Sequence, residues 1–568
     1  MNTIPLPPSL RKEIANPLVL DVLTLAGLVL LALLAFYATP EFAANLPQDG
    51  VDLAVPAVNL LERGRLVVSA YGHDIPPSHP FGTSLLLLPA YVVFGHALGN
   101  GIYALRLYAL GAIALTYVIG VKLGGRPCGC VAALFLITHY GFWQYAQKIM
   151  TEVPSVFLGT VILALLLSMS GRKHPGLMCL AIGVVLGFAV TVRYDNLLLL
   201  APTTVVLLWD GAWRERVRRM ALCLVGMAPF LISLAVYDQI TFGSPWRTGY
   251  HYWGQGWSST RQSFFSVECI RKQGFMRVHR IDEPLAGFVD GNGTFYAKSL
   301  LAESDATRIF GHPLYWQQPG RPIYQTLVLL RTAWGVVGLL ACFVAWRTAH
   351  LRKQFTLWLA TLTLACAGFY LLYYWQEERL LMRLVPAFCL ANAIGVTVLL
   401  AKWPAPAARA TVIVLVSALI ATFAFFNWQM GFPSGNDLHL YETLTQAARQ
   451  MESNAAVVSN FDPLRLDAYV IRGTDRMAVP LARDRDVAAF VGDDSTPTFF
   501  HPFVAVEDPE RVRELLHSGR PVYWLINNPW SGQPDVEFNT LQRSFRLQVL
   551  ATARVNGGSE RPYFGRIH

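Results

Sequence analysis

Charged residues are scarce in this chain of 568 residues. Asp, Glu, Lys and Arg together make up 15% of it, against roughly 25% in an ordinary soluble domain. Apolar residues reach 54%, so the composition predicts an integral membrane protein. The formal net charge is +9, but the basic residues cluster in short segments between apolar runs. This is the pattern of cytoplasmic loops, and it does not indicate nucleic-acid binding.

Features of several other protein classes are missing as well. Seven of the eight cysteines lie in or beside apolar runs, so no disulfide framework is predicted. Cys128 and Cys130 have no second ligand pair, which favours packing over metal binding. The sequence has no Gly-rich phosphate loop, no internal repeat and no clear signal-peptide cleavage site. Nucleotide binding is therefore not indicated.

Long apolar runs recur through the first three quarters of the chain. A span needs about 20 apolar residues, and about eleven runs qualify, at 17–38, 102–122, 128–145, 153–170, 175–192, 195–209, 220–238, 326–346, 355–374, 385–401 and 410–428. The run 83–98 is short and contains Pro89. If it is an interfacial or re-entrant helix, all basic loops fall on one side of the membrane. The predicted class is therefore mainly α, a polytopic membrane helix bundle.

The same topology places loops 39–101 and 239–325, and everything after 428, on the outer side. We therefore predict a transmembrane domain at 1–428 and an extracytoplasmic domain at 429–568. In the tail, helices and strands are predicted to alternate, which indicates a small α/β domain. The helices are Tyr441–Glu452 and Glu510–His517, and the strands are Ala455–Ser459, Val522–Ile526 and Leu547–Val555.

The first outer loop contains two carboxylates three residues apart, Asp49 and Asp52. Apolar residues at helical spacing follow as far as Gly64, which predicts a helix lying on the membrane. An Asp at the start of a helix is often a cap. As a lone feature Asp49 favours the cap, and the functional alternative is a general base, which takes a proton from an acceptor hydroxyl or amine. His79, next to Pro80, either caps a helix or contacts a substrate.

Two further outer turns contain charged residues. Glu152 precedes a predicted span, where a carboxylate needs water, a cation or a partner. Helix capping and a place in a substrate cavity both account for it. Arg193 and Asp195 form a local pair or, alternatively, Arg193 faces the cavity.

Aromatic and basic residues complete the set of candidates. Tyr250 is one of several aromatic residues that suit a sugar ring or a membrane interface. Arg379 and Arg383 lie in an outer turn, against the general preference for inward basic residues. They either bind a phosphate or form salt bridges to Glu377 and Glu378.

These motifs resemble those of the GT-C membrane glycosyltransferases. The resemblance is nearest to the branch with the protein O-mannosyltransferases and the lipid A aminoarabinose transferase. Asp49 occupies the Asp of the family's Asp-Glu pair, with Gly50 in place of the Glu, and Ala57 and Gly64 follow at the family's distances. His79 stands where the family has Lys-Pro-Pro or His-Pro-Pro. In the turn that begins at Glu377, Arg379 falls on the family's Arg.

The resemblance implies an inverting glycosyltransferase with an active site facing the periplasm or exterior of the inner (plasma) membrane. A polyprenyl-phosphate donor would give its sugar to a lipid, a cell-surface glycan or a protein. Asp49 would be the base, with Arg379 and Arg383 on the donor phosphate. Asp52, His79, Glu152, Arg193 and Tyr250 would contribute to substrate binding. No cofactor is required, and the carboxylates are too dispersed to assign metal ligands, which leaves a divalent cation open. The alternative is a transporter or flippase of lipid-linked saccharides.

Overall fold

The structure is a computed structural model. It describes residues 17–37, 46, 48–70, 73–169, 175–250, 350–372, 378–402, 406–430, 435–459, 461, 463–480, 509–526, 536–554 and 560–568. Helices predominate in it, as the sequence predicts. In chain order they are α1 (Pro17–Tyr37), α2 (Gln48–Arg63), α3 (Gly82–Phe94), α4 (Gly101–Gly124), α5 (Arg126–Ile137), α6 (Tyr140–Tyr145), α7 (Glu152–Met169), α8 (Pro175–Val192), α9 (Leu200–Trp209), α10 (Trp213–Phe242), α11 (His350–Leu372), α12 (Val385–Lys402), α13 (Pro406–Met430), α14 (Gly435–Gln450), α15 (Pro463–Leu466), α16 (Pro509–His517) and α17 (Val536–Ser544). Short 3-10 helices lie at Leu98–Asn100, Tyr194–Leu199 and Glu378–Leu384, and a π-helix at Asp467–Ile471.

The chain forms two compact units. The first consists of Met1–Phe42, Ile102–Leu234 and Ser263–Phe432, and the second of Ala43–Gly101, Ala235–Gln262 and Pro433–His568. Each unit is therefore assembled from three separate stretches of sequence.

Within the described residues, six helical segments are long and apolar enough to cross a membrane. They are Leu18–Phe36, Leu98–Gly124, Glu152–Met169, Pro175–Val192, Trp213–Phe242 and Leu381–Val398. The predicted span 326–346 lies outside the described residues, so the total of about eleven stays a prediction. The run at 83–98 forms α3, which has 13 residues, fewer than the roughly 20 that a span requires.

Glycines bring two helices of the first unit into close contact. A Cβ added to Gly183 on α8 would lie 1.9 Å from the carbonyl oxygen of Cys223 on α10. One turn further, a Cβ on Gly187 would lie 2.7 Å from the carbonyl oxygen of Met227. Small residues at this spacing let helix backbones approach closely, which is a common basis of helix association in membranes.

The second unit contains a hairpin and a sheet. Strands β1 (Val68–Ala70) and β2 (His73–Ile75) pair antiparallel. Five further strands form a sheet in the order β4-β3-β5-β7-β6. They are β3 (Ala456–Ser459), β4 (Met477–Pro480), β5 (Val522–Leu525), β6 (Leu547–Arg554) and β7 (Glu560–Ile567). The β4-β3-β5 pairings are parallel, whereas β7 pairs antiparallel with both β5 and β6.

Alternate residues of the strands enter two cores, one on each face of this sheet. Tyr523 and Leu525 pack with Leu444 of α14 on one face, while Val522 and Trp524 pack with Val512 of α16 on the other. This period of two is what a sheet buried on both faces requires.

The tail also contacts the first loop within the second unit. The backbone N–H of Leu46 donates to the hydroxyl of Tyr469 at 2.9 Å. Arg472 Nη2 lies 2.8 Å from Glu62 Oε2, near the end of α2. Helix α15 also packs against α2 and β1. The start and end of α2 are therefore both next to contacts with the tail.

Candidate active site

Helix α2 places the two carboxylates of the first loop in different environments. Residues 51–59 of this helix are all buried, whereas its last turn is exposed. Asp49 lies in the first turn, where a negative charge is favoured by the helix dipole, and it is half-buried. Asp52 is only 2% exposed.

The carboxylate of Asp52 accepts hydrogen bonds from the turn at Ser78 and His79. The N–H of Ser78 lies 3.0 Å from both Asp52 oxygens, and the Ser78 hydroxyl donates at 2.6 Å. The N–H of His79 donates at 3.1 Å, and its ring Nδ1 lies 2.7 Å from Asp52 Oδ2. Asp52 therefore fixes the conformation of this turn and the orientation of the His79 ring.

A third segment of the second unit packs against the same turn. The ring of Tyr250 meets that of His79 edge-on, with centroids 5.4 Å apart. A Cβ on Gly249 would lie 2.3 Å from the carbonyl oxygen of Ser78 and 2.6 Å from that of Pro77. Only glycine permits this approach, so three segments of the chain enclose His79, which is 8% exposed.

The first unit contains a second polar cluster of four charged side chains, three of them buried and the fourth, Asp195, 12% exposed. Glu152 begins α7, and its Oε1 accepts from Arg193 Nη1 at 2.9 Å. Arg193 Nε lies 2.9 Å from Asp195 Oδ1, and Arg383 Nη2 lies 2.7 Å from Asp195 Oδ2. Arg383 also donates to the Asp195 carbonyl oxygen. Two carboxylates and two guanidinium groups alternate, so their charges balance.

Neutral side chains extend this cluster. Arg193 Nη1 also donates to the hydroxyl of Thr151 at 3.2 Å, and Asn196 donates to that of Ser155 at 3.0 Å. The contacts join the start of α7 to the 3-10 helix Tyr194–Leu199, while Arg383 adds the 3-10 helix Glu378–Leu384. Buried charges persist in a low-dielectric interior only when they are paired in this way.

A further arginine is buried in α4 of the first unit. Arg106 is 6% exposed and donates to Gln147 Oε1 at 3.0 Å and to the carbonyl oxygen of Phe36. Gln147 donates to the same carbonyl at 2.8 Å. This contact holds the segment after α6 against the end of α1.

The structure thus groups the sequence-predicted residues in two sets. It brings His79 and Tyr250 to Asp52 in one unit, and Arg193 to Glu152 in the other. Arg383 joins the second set through Asp195, 188 residues away, a distance over which the sequence carries no pairing signal. Ser78 was not predicted, because its partner Asp52 lies 26 residues earlier and the sequence carries no signal of their contact. The side chain of Arg379 lies outside the described residues.

No group of three or more His, Cys, Asp or Glu side chains that could hold a metal ion occurs in the described part of the chain. The six cysteines described there are free. Cys128 is buried beside a close contact of α4 with α5, where a Cβ on Gly120 would lie 2.7 Å from the Cα of Gly129.

The fold is similar to that of solved GT-C membrane glycosyltransferases. The chain is similar to ArnT from Cupriavidus metallidurans in the apo state, with a TM-score of 0.57 over 95% of this chain and 97% of that one. The same enzyme bound to undecaprenyl phosphate gives 0.56 over the same shares. The sequence identity is 12% in both cases. The predicted GT-C resemblance and multi-pass membrane class are confirmed.

Two other solved structures share the fold. The oligosaccharyltransferase of Archaeoglobus fulgidus, in complex with Zn and sulfate, has a TM-score of 0.51 and 13% identity, over 81% of this chain and 62% of that chain. The arabinofuranosyltransferase AftD from Mycobacteria also has a TM-score of 0.51 and 13% identity, over 95% of this chain and 40% of that one. No protein-family model and no curated protein sequence matches the chain.

Proposed function

We propose that this protein is an inverting glycosyltransferase. It moves a sugar from a polyprenyl-phosphate donor to a lipid, a cell-surface glycan or a protein on the outer face of the inner membrane. The observation that most directly supports this proposal is the position of Asp49, which is half-buried in the first turn of helix α2, in a chain with a GT-C-like fold. The proposal includes about eleven spans, with the tail on the outer side.

Asp49 acts as the general base in this proposal. It takes the proton of the acceptor hydroxyl or amine while that oxygen or nitrogen attacks the anomeric carbon of the sugar. The bond from that carbon to the phosphate oxygen breaks, and polyprenyl phosphate leaves with the bonding electron pair. Attack opposite the leaving group inverts the anomeric centre. Asp52 is less suited to be the base, because the turn at Ser78 and His79 encloses its carboxylate.

Arginine stabilises the phosphate that leaves. A guanidinium group stays charged and offers two parallel donors to a phosphate. Arg383 already makes a two-point contact with Asp195, so we assign the first contact with the donor phosphate to Arg379. Arg383 and Arg193, with Glu152, shape the donor cavity, and Tyr250 and His79 contribute to substrate binding.

The test compares wild type with Asp49→Asn. A matched control is Asp74→Asn, in the same loop, because Asp74 is 36% exposed and forms only surface ion pairs with Arg63 and Arg65 among the described residues. Mass spectrometry of cell-envelope glycans, with and without the protein, identifies the transferred sugar. Binding of undecaprenyl phosphate to the purified proteins is measured in parallel.

We expect Asp49→Asn to lower transfer by at least about 100-fold, the lower end of what general base catalysis contributes, while lipid binding persists. Asp74→Asn should retain both. Undiminished transfer by Asp49→Asn would overturn the assigned base. The transporter alternative predicts another outcome: wild type and Asp49→Asn would differ in movement of lipid-linked saccharide across the membrane, and neither would transfer sugar.

A further inference from the structure

The function proposed above does not explain why a buried carboxylate faces a histidine. Each described contact of Asp52 is with Ser78 or His79, at distances between 2.6 and 3.1 Å. Two backbone N–H groups and one hydroxyl donate to it, so the Asp52 oxygens act as acceptors, as those of an ionised carboxylate do. The His79 ring must therefore present a proton to Asp52 from Nδ1.

A proton on Nδ1 determines what the other nitrogen of the ring can do. In the neutral ring Nε2 would be an acceptor, whereas in the imidazolium both nitrogens are donors. A carboxylate 2.7 Å from the ring stabilises the charged form relative to the neutral one. The low exposure of both side chains, 8% for His79 and 2% for Asp52, reduces solvent screening of the pair, and the same burial penalises a charged ring that lacks a partner.

Other titratable groups lie on the elements packed against this turn. Tyr250 meets the His79 ring directly, and Tyr237 of α10 packs edge-on against Phe81 at 5.3 Å. Both tyrosines are neutral near pH 7. Asp238, next to Tyr237, is 2% exposed, and Asp49 lies one helical turn before Asp52. The segment that carries Tyr250 also contains a basic residue, Arg247. The described charges around the turn are therefore of both signs, and the case for a positive His79 rests on its contact with Asp52.

We propose that Asp52 is a positioning residue that holds His79 in one orientation as an imidazolium, and thereby sets the alkaline limit of sugar transfer. The inference rests on the proposed function, which places His79 among the substrate-binding residues. A positive ring attracts a substrate that carries a phosphate, and it loses this attraction when it releases its proton. Asp52 does not touch the substrate and acts through His79.

The first experiment is a pH profile of sugar transfer from 5.5 to 9 for wild type, Asp52→Asn and His79→Lys, all as the full chain in detergent or vesicles. Without its carboxylate partner the buried imidazole loses the contact that favours its charged form, so it releases its proton at lower pH. The alkaline limb of Asp52→Asn should therefore begin at lower pH than that of wild type, and the difference in transfer should narrow towards pH 5.5. His79→Lys carries a permanent charge in this range, so its profile should be flat where that of wild type falls.

A purely structural role for Asp52 predicts a different result. Asp52→Asn would then lower transfer equally at every pH, and acid would not restore it. That outcome, or an alkaline limb in His79→Lys that coincides with that of wild type, would overturn the inference. His79→Gln provides a second comparison if Asp52→Asn fails to fold, because it should show low transfer at all pH values.

Thermal unfolding between pH 5.5 and 9 tests the ion pair independently of catalysis. A histidine that gains a carboxylate partner on folding binds its proton more tightly when folded, so its stabilising effect is complete below about pH 6.5 and is lost as the pH rises. The Tm of wild type should fall over this range more steeply than that of His79→Gln. Equal slopes would overturn the ion pair. Failure of wild type to bind undecaprenyl phosphate or transfer sugar would instead refute the proposed function. The dependence of Tm on pH would still show whether Asp52 and His79 form an ion pair.

Discussion

Arg193 offers a test of the buried charge cluster, because the effect of Glu152→Gln on the Tm should change sign when Arg193 is replaced. Its guanidinium group contacts Glu152 Oε1 at 2.9 Å and Asp195 Oδ1 at 2.9 Å. Side-chain exposure is 10% for Arg193 and 1% for Glu152, so water cannot replace the contacts. Arg193→Met fills a similar volume but leaves two negative charges beside a single arginine, Arg383.

Removal of one partner from a buried ion pair costs about 3–5 kcal/mol, because the other charge stays buried without compensation. The matched control is Arg218→Gln. Arg218 is 70% exposed and lies 3.6 Å from Glu215, and a surface pair of this kind contributes about 0–1 kcal/mol. We therefore expect Arg193→Met to lower the Tm of the purified protein by several times the change in Arg218→Gln.

The double variant isolates the charge effect. Glu152→Gln should destabilise the wild-type protein, because Arg193 loses its charged acceptor. In the Arg193→Met background the same change should be stabilising, because it removes an uncompensated buried charge. Tm values of the four proteins, measured in one detergent at one pH, form the cycle. A Glu152→Gln effect of the same sign and size in both backgrounds would refute the coupled cluster.

Two further predictions concern packing and the tail. Gly183→Ala should reduce the folded yield and the Tm, because its Cβ would lie 1.9 Å from a carbonyl oxygen of α10 and overpacking costs about 1–3 kcal/mol. The control is Gly368→Ala, which should be neutral because no atom lies within 4 Å of the added Cβ. Equal losses in the two variants would contradict the close approach of α8 and α10. Arg476 donates to four carbonyl oxygens, three of them in the last turn of α14 or just after it, each contact worth about 1 kcal/mol. Arg476→Met should therefore increase hydrogen exchange in α14, whereas the exposed Arg449→Met should not; unchanged exchange in Arg476→Met would show that these contacts do not hold the helix.

The apolar helices could be predicted closely from the sequence. The prediction of 175–192 coincides with α8, and that of 153–170 with α7 to one residue. The membrane fixes the length of such runs, so composition alone determines them. The run predicted at 128–145 is not one continuous helix, because it consists of α5 and α6. His139 ends the continuity: its Nδ1 accepts from the N–H of Phe142 and so caps a new helix.

Strand β7 had no signal in the sequence. It contains Pro562 and Gly565, which usually argue against a central strand, yet it lies between β5 and β6. Pro562 falls where the register with β6 shifts, so an irregular ladder accommodates it. Gly565 lies against the indole of Trp524, 2.6 Å from where a Cβ would be. Both residues fit because of neighbours that are remote in sequence.

The candidate site was predictable only in part for the same reason. Local spacing singled out Asp49, Asp52 and His79, because a helix and a turn are short-range features. It could not show that Asp52 is enclosed by the turn 26 and 27 residues later. It also could not show that Asp195 bridges two arginines. These pairings depend on how the segments pack together.

The contacts between the tail and the first loop have a consequence for how the protein is made. Leu46 and Tyr469 are 423 residues apart, and Glu62 and Arg472 are 410 apart. At a synthesis rate of about 5–20 residues per second, the first loop exists for roughly 20 to 80 s before its partner is translated. The helix that carries Asp49 and Asp52 therefore reaches its final surroundings only after synthesis has passed Arg472. A chain that ends early would lack those contacts, however well its membrane helices had inserted.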